Sequence, residues 1–189
     1  MKRRRRMDRQ QKQKCLRMPF LISNHDGLEI DLQGESEIPR PWITTEPGRL
    51  MGRGHPAGDF LEAWEWDLLD EGEGYLRVSA HLPPQVRNPR GQLFGGFTPA
   101  YVDLVALFTA RSRAQRAAAS ARLWLATTSM RVDYFEPVIG PKFVLDSRRE
   151  KQRGRTHVVT TRFLQGDQLA VLAVTTLREL ARDRPLGDA

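Results

Sequence analysis

The chain has 189 residues, of which 40% are hydrophobic and 28% charged, with one cysteine and a formal net charge of +7. That length suffices for one domain with a full core plus an extra segment. The lone Cys15 excludes an internal disulfide and any cysteine-cluster metal site, and it fits a reducing cytoplasm, where the protein is expected to reside.

The charge is unevenly spread. Residues 1–17 hold nine basic side chains and a single acid, Asp8, so the tail carries +8 and the rest of the chain −1. A near-neutral body is not that of a nucleic-acid-binding domain, and nucleic acid is not expected as a partner. The basic run reads as a solvated arm; Met7 and Met18 are also in-frame alternative starts, and such a run can attract nucleic acid or an anionic membrane. No apolar signal core follows it. The most apolar window, 93–110, contains Gly95, Gly96, Pro99 and Asp103 and is at the lower length limit for a span, so no membrane crossing is expected.

Residues 18–58 are rich in Pro and Gly and keep no helical or strand period. They are expected to form an irregular lead-in that packs over the domain through Phe20, Leu21, Ile22, Trp42 and Ile43, or a lid; the sequence leaves both open. The main domain is expected over 59–181, with 182–189 as a C-terminal tail.

Alternation across 60–69, with Phe60, Glu62, Trp64, Trp66 and Leu68 on one side, predicts a first strand. Asp70 to Gly74 reads as a turn and Tyr75 to Leu82 as a second strand, stopped by Pro83-Pro84. Thr98 suits a helix N-cap and Pro99 the first helical position. The helix is apolar through Ala110 and continues, basic and alanine-rich, to about Ala119. Four strands follow, over 123–136, 142–152, 155–164 and 168–180. The last is apolar on both faces, which predicts an internal strand. Short turns between consecutive strands predict an antiparallel sheet. One apolar helix against one antiparallel sheet is an α+β two-layer domain.

Asp103 is the sole charged side chain between Leu93 and Ala110, and its helical neighbours are Pro99, Ala100, Ala106 and Leu107. A carboxylate there is costly unless paired, and burial favours the proton affinity that a general base needs. A structural Asp bonded to nearby backbone, or one on a helix edge, fits the local sequence equally. Gly95-Gly96, just before the helix, permits unusual backbone angles and close approach of a ligand, and a helix start offers free N–H groups that can hold an oxyanion. A plain turn fits as well.

The segment Asn88-Pro-Arg-Gly-Gln-Leu-Phe-Gly-Gly96, followed by Asp103, resembles the helix-start motif of hotdog-fold thioesterases of the phenylacetate-pathway type, which read Asn, then His-Gly-Gly, then Asp nine residues after the His. Met130-Arg-Val-Asp-Tyr-Phe-Glu-Pro137 is similar to that family's strand ending in aromatic-x-x-Pro. Arg153-Gly-Arg155 and Gly166-Asp-Gln-Leu-Ala170 are similar to its closing hairpins. The resemblance covers about residues 58–180. It implies a hotdog fold, an antiparallel sheet wrapped around one long central helix, and hydrolysis of acyl-CoA thioesters without a cofactor or metal.

The resemblance further implies Asp103 as general base or nucleophile, the Gly96 N–H as oxyanion donor, and Asn88 as the residue that positions substrate or water. Gly95 and Phe94 would border the substrate. Thr127 and Ser129 are candidates for water positioning or plain strand hydroxyls. Arg153, Gly154 and Arg155 suit the coenzyme A phosphates or a solvated turn. A homodimer or dimer of dimers is implied, with the pocket between subunits. Phe94 stands where the family has His, which points to a more apolar pocket or to an acyl-CoA-binding or regulatory protein without turnover. A hotdog enoyl-CoA hydratase would pair the Asp with a nearby His, and none follows Asp103.

Other patterns carry less. Gly52-Arg-Gly-His-Pro-Ala57 mimics a dinucleotide fingerprint but is expected to precede a strand. His25, His55, His81 and His157 lack metal-ligand spacing. No Gly-x-Ser-x-Gly elbow is present.

Overall fold

In the computed structural model, residues 42–44, 46–111 and 124–180 are described. A short helix α1 (Pro56–Phe60) leads to strands β1 (Asp67–Gly72) and β2 (Tyr75–His81), then to the long helix α2 (Thr98–Ala110). Four strands close the domain: β3 (Trp124–Tyr134), β4 (Lys142–Arg153), β5 (Thr156–Gln165) and β6 (Gln168–Leu180). The expected extension of the helix to Ala119, and Phe20, Leu21 and Ile22, lie outside the described residues.

All six strands form one antiparallel sheet in the order β1-β2-β4-β5-β6-β3. The apolar strand β6 is internal, as its sequence predicts, between β5 and the edge strand β3. One sheet face packs on α2. Tyr101, Val102, Leu104 and Val105 of the helix join Leu145, Phe163, Val171 and Ala173 of the sheet in the main core. Each large apolar side chain buried this way contributes roughly 1.5–3 kcal/mol. The helix C-terminus is held by Arg149, whose Nη1 donates to the Ala110 carbonyl at 3.3 Å while Nη2 binds Glu73 at 3.0 Å. A cation there satisfies an orphan carbonyl and complements the helix dipole.

The start of the domain departs from the expected strand over 60–69. Pro56 opens a helix, the His55 Nδ1 caps it by accepting from the Gly58 N–H at 3.1 Å, and Glu62 at φ 53° ends it. A 3₁₀ turn, Ala63–Glu65, follows, and only then β1. Leu61, Ala63 and Trp66 are fully buried, so tertiary packing overrides the two-residue alternation. Gly52 to Ala57 therefore runs into a helix rather than a strand, but a five-residue one with no strand before it among the described residues. Strand β1 also runs through Asp70 to Gly72, which shortens the expected turn to Glu73 and Gly74. Trp42 packs on the core and Leu50 and Met51 are buried, so the end of the lead-in covers the domain.

Candidate active site

Helical structure at the mouth of α2 begins three residues earlier than Thr98. Gly95–Phe97 form a 3₁₀ turn that runs straight into the helix, and the buried Thr98 side chain makes no cap. The expected Thr98 N-cap is thus replaced by a tighter turn. The two glycines do not serve unusual backbone angles, since neither has a positive φ. Their lack of side chains matters for space. A Cβ on Gly96 would lie 2.8 Å from the Phe94 ring, and one on Gly95 would touch the Tyr134 ring at 3.7 Å. Among the described residues neither the Gly95 nor the Gly96 N–H meets an acceptor, as the geometry of a helix start dictates. The Gly95 carbonyl is doubly engaged, by the Thr98 N–H and by the Tyr134 hydroxyl at 2.9 Å.

Asp103 lies two turns further on and is half-buried. Its Oδ1 accepts a short hydrogen bond from the Thr127 hydroxyl on β3. The two side chains meet because α2 packs along the inner face of the edge strand. Ser129 does not join them. The β3–β6 register shifts between Thr127 and Ser129, so Thr128 is a bulge residue. Beyond it Met130 and Val132 pack into the core, which turns Ser129 to the outer face with Thr176.

Asn88 organises its own turn. Its Oδ1 accepts from the Arg90 N–H at 2.9 Å and the Gln92 N–H at 3.1 Å, and its Nδ2 donates to Gln92 Oε1 at 3.2 Å. That turn delivers Leu93 and Phe94 to the helix start. Phe94 is 52% exposed and edge-on to Phe97, which in turn tilts against Phe60. Arg153, Gly154 and Arg155 form the β4–β5 turn, with Gly154 in the left-handed region at φ 56°. The Arg155 Nε donates to the Glu179 carbonyl at 3.1 Å. The register places this turn at the end of the sheet where β3 begins, not at the end of Tyr134.

A cleft of about 240 Å³ opens beside Gly95. Leu93, Gly95 and Thr98 form one wall, and Tyr134 to Val138 with Val171 form the other; Asp103 is not part of its lining. Tyr134 lies outside the set of residues expected at the site from the sequence. Its signal was the aromatic three positions before Pro137. No group of metal-ligating side chains occurs among the described residues. The Nδ1 of His55 caps α1, His81 lies 3.3 Å from Glu65, and His157 binds Glu179 at 2.8 Å. No helix among the described residues is long and apolar enough to cross a membrane.

No protein-family model and no curated protein matches the sequence. Solved structures do match in fold. The phenylacetic acid degradation-related protein of Ralstonia eutropha superposes with a TM-score of 0.56 at 17% identity, over 67% of this chain and 92% of its own. The E. coli PaaI protein of the phenylacetic acid degradation operon gives 0.52 at 15% identity, over 67% and 86%. A hypothetical thioesterase of Streptococcus pneumoniae, solved with coenzyme A, gives 0.52 at 14% identity, over 62% and 90%. Together with the six-stranded antiparallel sheet and its one long helix, these likenesses establish that the chain has the hotdog fold.

Proposed function

We propose that this protein hydrolyses acyl-CoA thioesters, with Asp103 as general base or nucleophile and the Gly96 N–H as oxyanion donor. The observation that carries the reading is the Asp103–Thr127 pair: a carboxylate on an otherwise apolar helix, held by a hydroxyl from the facing strand, on the helical run whose start offers free N–H groups. As general base, Asp103 takes a proton from water while the water oxygen bonds to the thioester carbon. The carbonyl oxygen, now negative, accepts from Gly96. Collapse of the adduct breaks the C–S bond, Asp103 returns its proton to the departing sulfur as the thiol of coenzyme A, and the acid product loses its own proton to solvent. Thr127 fixes the carboxylate orientation. Asn88 keeps one amide proton free of its turn for substrate, and Arg153 and Arg155 offer charge to the coenzyme A phosphates.

One chain does not supply this whole site. Gly96 and Asp103 are seven positions apart, roughly 10 Å along the helix axis at the helical rise. Base and oxyanion donor each act within about 3 Å of one carbonyl or its attacking water. Among the described residues strand β3 is paired on one side alone, with β6. A second copy added antiparallel along its open edge brings the Tyr134 end of one β3 beside the Trp124 end of the other. Gly96 of one copy then faces Asp103 of the other, so the functional unit is a homodimer with two shared sites.

Thiol release from a panel of acyl-CoAs tests the reading. Asp103→Asn and Asp103→Ala are expected to lose at least about 100-fold in kcat, the scale of a missing general base. Equal turnover by wild type and both variants would remove Asp103 from the chemistry. One observation favours a second reading. The Phe94 ring lies against Gly96 where the resembled family has His, which suits an acyl-CoA-binding protein without turnover. Tight binding of the panel with no thiol release by wild type selects that reading.

A further inference from the structure

The peptide linking Gly95 to Gly96 has its carbonyl and its N–H on opposite sides, because a trans peptide is planar. Whatever fixes the Gly95 carbonyl therefore aims the Gly96 N–H. Both lone pairs of that carbonyl are used. The Thr98 N–H supplies the ordinary helical partner, and the Tyr134 hydroxyl supplies the other at 2.9 Å. The phenol reaches it from the last residue of β3, and its ring lies 3.7 Å from the Gly95 Cβ direction. A side chain larger than methyl at position 95 would displace the ring, so the glycine and the tyrosine fit as a pair.

We infer that Tyr134 is a positioning residue for the oxyanion donor: its hydroxyl locks and polarises the Gly95–Gly96 peptide so that the Gly96 N–H points at the developing negative charge. This rests on the proposed role of Gly96. Hydrogen bonds in a chain strengthen one another, so a donor to the carbonyl makes the N–H of the same peptide a better donor. The effect is largest in the transition state, in which the oxygen carries its charge, and small in ground-state binding, where the carbonyl is only polarised. Tyr134 is 54% exposed and contributes little to the core, so its hydroxyl is free to be changed without loss of fold.

The test compares wild type with Tyr134→Phe in two readouts. The first is steady-state hydrolysis, with unchanged Tm as the control for folding. Tyr134→Phe is expected to lower kcat about tenfold with KM within twofold, a fraction of the roughly 100-fold or more lost with a whole oxyanion donor. The second is the infrared stretch of an isotope-labelled thioester carbonyl bound to Asp103→Asn, with and without Tyr134→Phe. The stretch is expected to lie below its solution frequency and to move back towards it when the hydroxyl is removed. If wild type hydrolyses and the carbonyl bound to Asp103→Asn is polarised, but Tyr134→Phe changes neither kcat nor frequency, the inference fails and the function stands. If wild type does not hydrolyse and Asp103→Asn does not polarise the carbonyl, the function fails and the role of Tyr134 with it.

Discussion

Tyr101 and Asp103 stand two positions apart on α2, and their surroundings set them to opposite tasks. Tyr101 is fully buried, stacked on Trp66 at 5.4 Å and tilted against Phe143, with its hydroxyl donating to the His81 carbonyl at 2.9 Å. Burial, with a smaller contribution from Glu62, pushes its phenol well above the ordinary value. A raised folded value means that the unfolded chain gives up its proton first. The tyrosine therefore adds stability that is fully present below about pH 10 and is lost as pH rises beyond it. Tyr101→Phe is expected to cost about 1 kcal/mol at neutral pH through the unpaired His81 carbonyl. It is also expected to flatten the alkaline loss of stability, as chemical denaturation across pH measures.

Asp103 was legible as an oddity because a lone charge on an apolar helix stands out in any sequence. Its partner Thr127 was only one of two hydroxyls that the sequence offered. What separates Thr127 from Ser129 is the bulge at Thr128, a backbone irregularity that side-chain alternation does not announce.

That bulge is the feature of β3 on which most depends. Before it, Leu125 and Thr127 face the helix; after it, Met130 and Val132 do. Side-chain alternation has a period of two, so a one-residue change of register exchanges the faces. Deletion of Thr128 is expected to turn either Thr127 away from Asp103 or Met130 and Val132 away from the core. The cost is about 2 kcal/mol or more, on the scale of losing one or two buried apolar side chains. The unfolding midpoint in denaturant measures it, and a midpoint equal to wild type would show that the bulge is incidental.

The six strands and the helix were largely readable, since long periodic segments with turn residues between them define themselves. The start of the domain was not. Phe60 to Leu68 alternates like a strand, yet His55 and Pro56 provide a cap and a first helical turn, and Trp66 is drawn into the core against Tyr101. Similarly, Thr98 has the chemistry of an N-cap, but its side chain is buried and the 3₁₀ turn of Gly95–Phe97 starts the helix instead.

At the scale of the whole molecule, the edge formed by β3 is the feature that asks for a partner. Trp124, Tyr134 and Phe135 are each more than half exposed along it or at its exit. An eleven-residue edge strand with large apolar side chains is a template for another chain. The long helix α2 puts Asp103 and Gly96, the proposed base and oxyanion donor, at different points along the same seam, a separation that the proposed two-fold axis would resolve. The α+β two-layer class was legible from the order of elements, and the hotdog architecture from the resemblance carried by the segment from Asn88 to Asp103. The proposed sharing of the site was not legible there; it rests on the position of Gly96 and Asp103 on one continuous helical run.

Mixing two inactive variants tests that sharing most directly. Asp103→Asn lacks the carboxylate, and Gly96→Pro lacks the N–H near the helix start, where no helical bond is lost and the exposed Phe94 ring can swing away from the added Cβ. Each alone is expected to be inactive. After subunit exchange at equal amounts, half the dimers are mixed and one of the two sites in each carries both Asp103 and Gly96, so about a quarter of wild-type activity is expected to return. Inactive variants that stay inactive, although mixed dimers have formed, would contradict a site built from two copies.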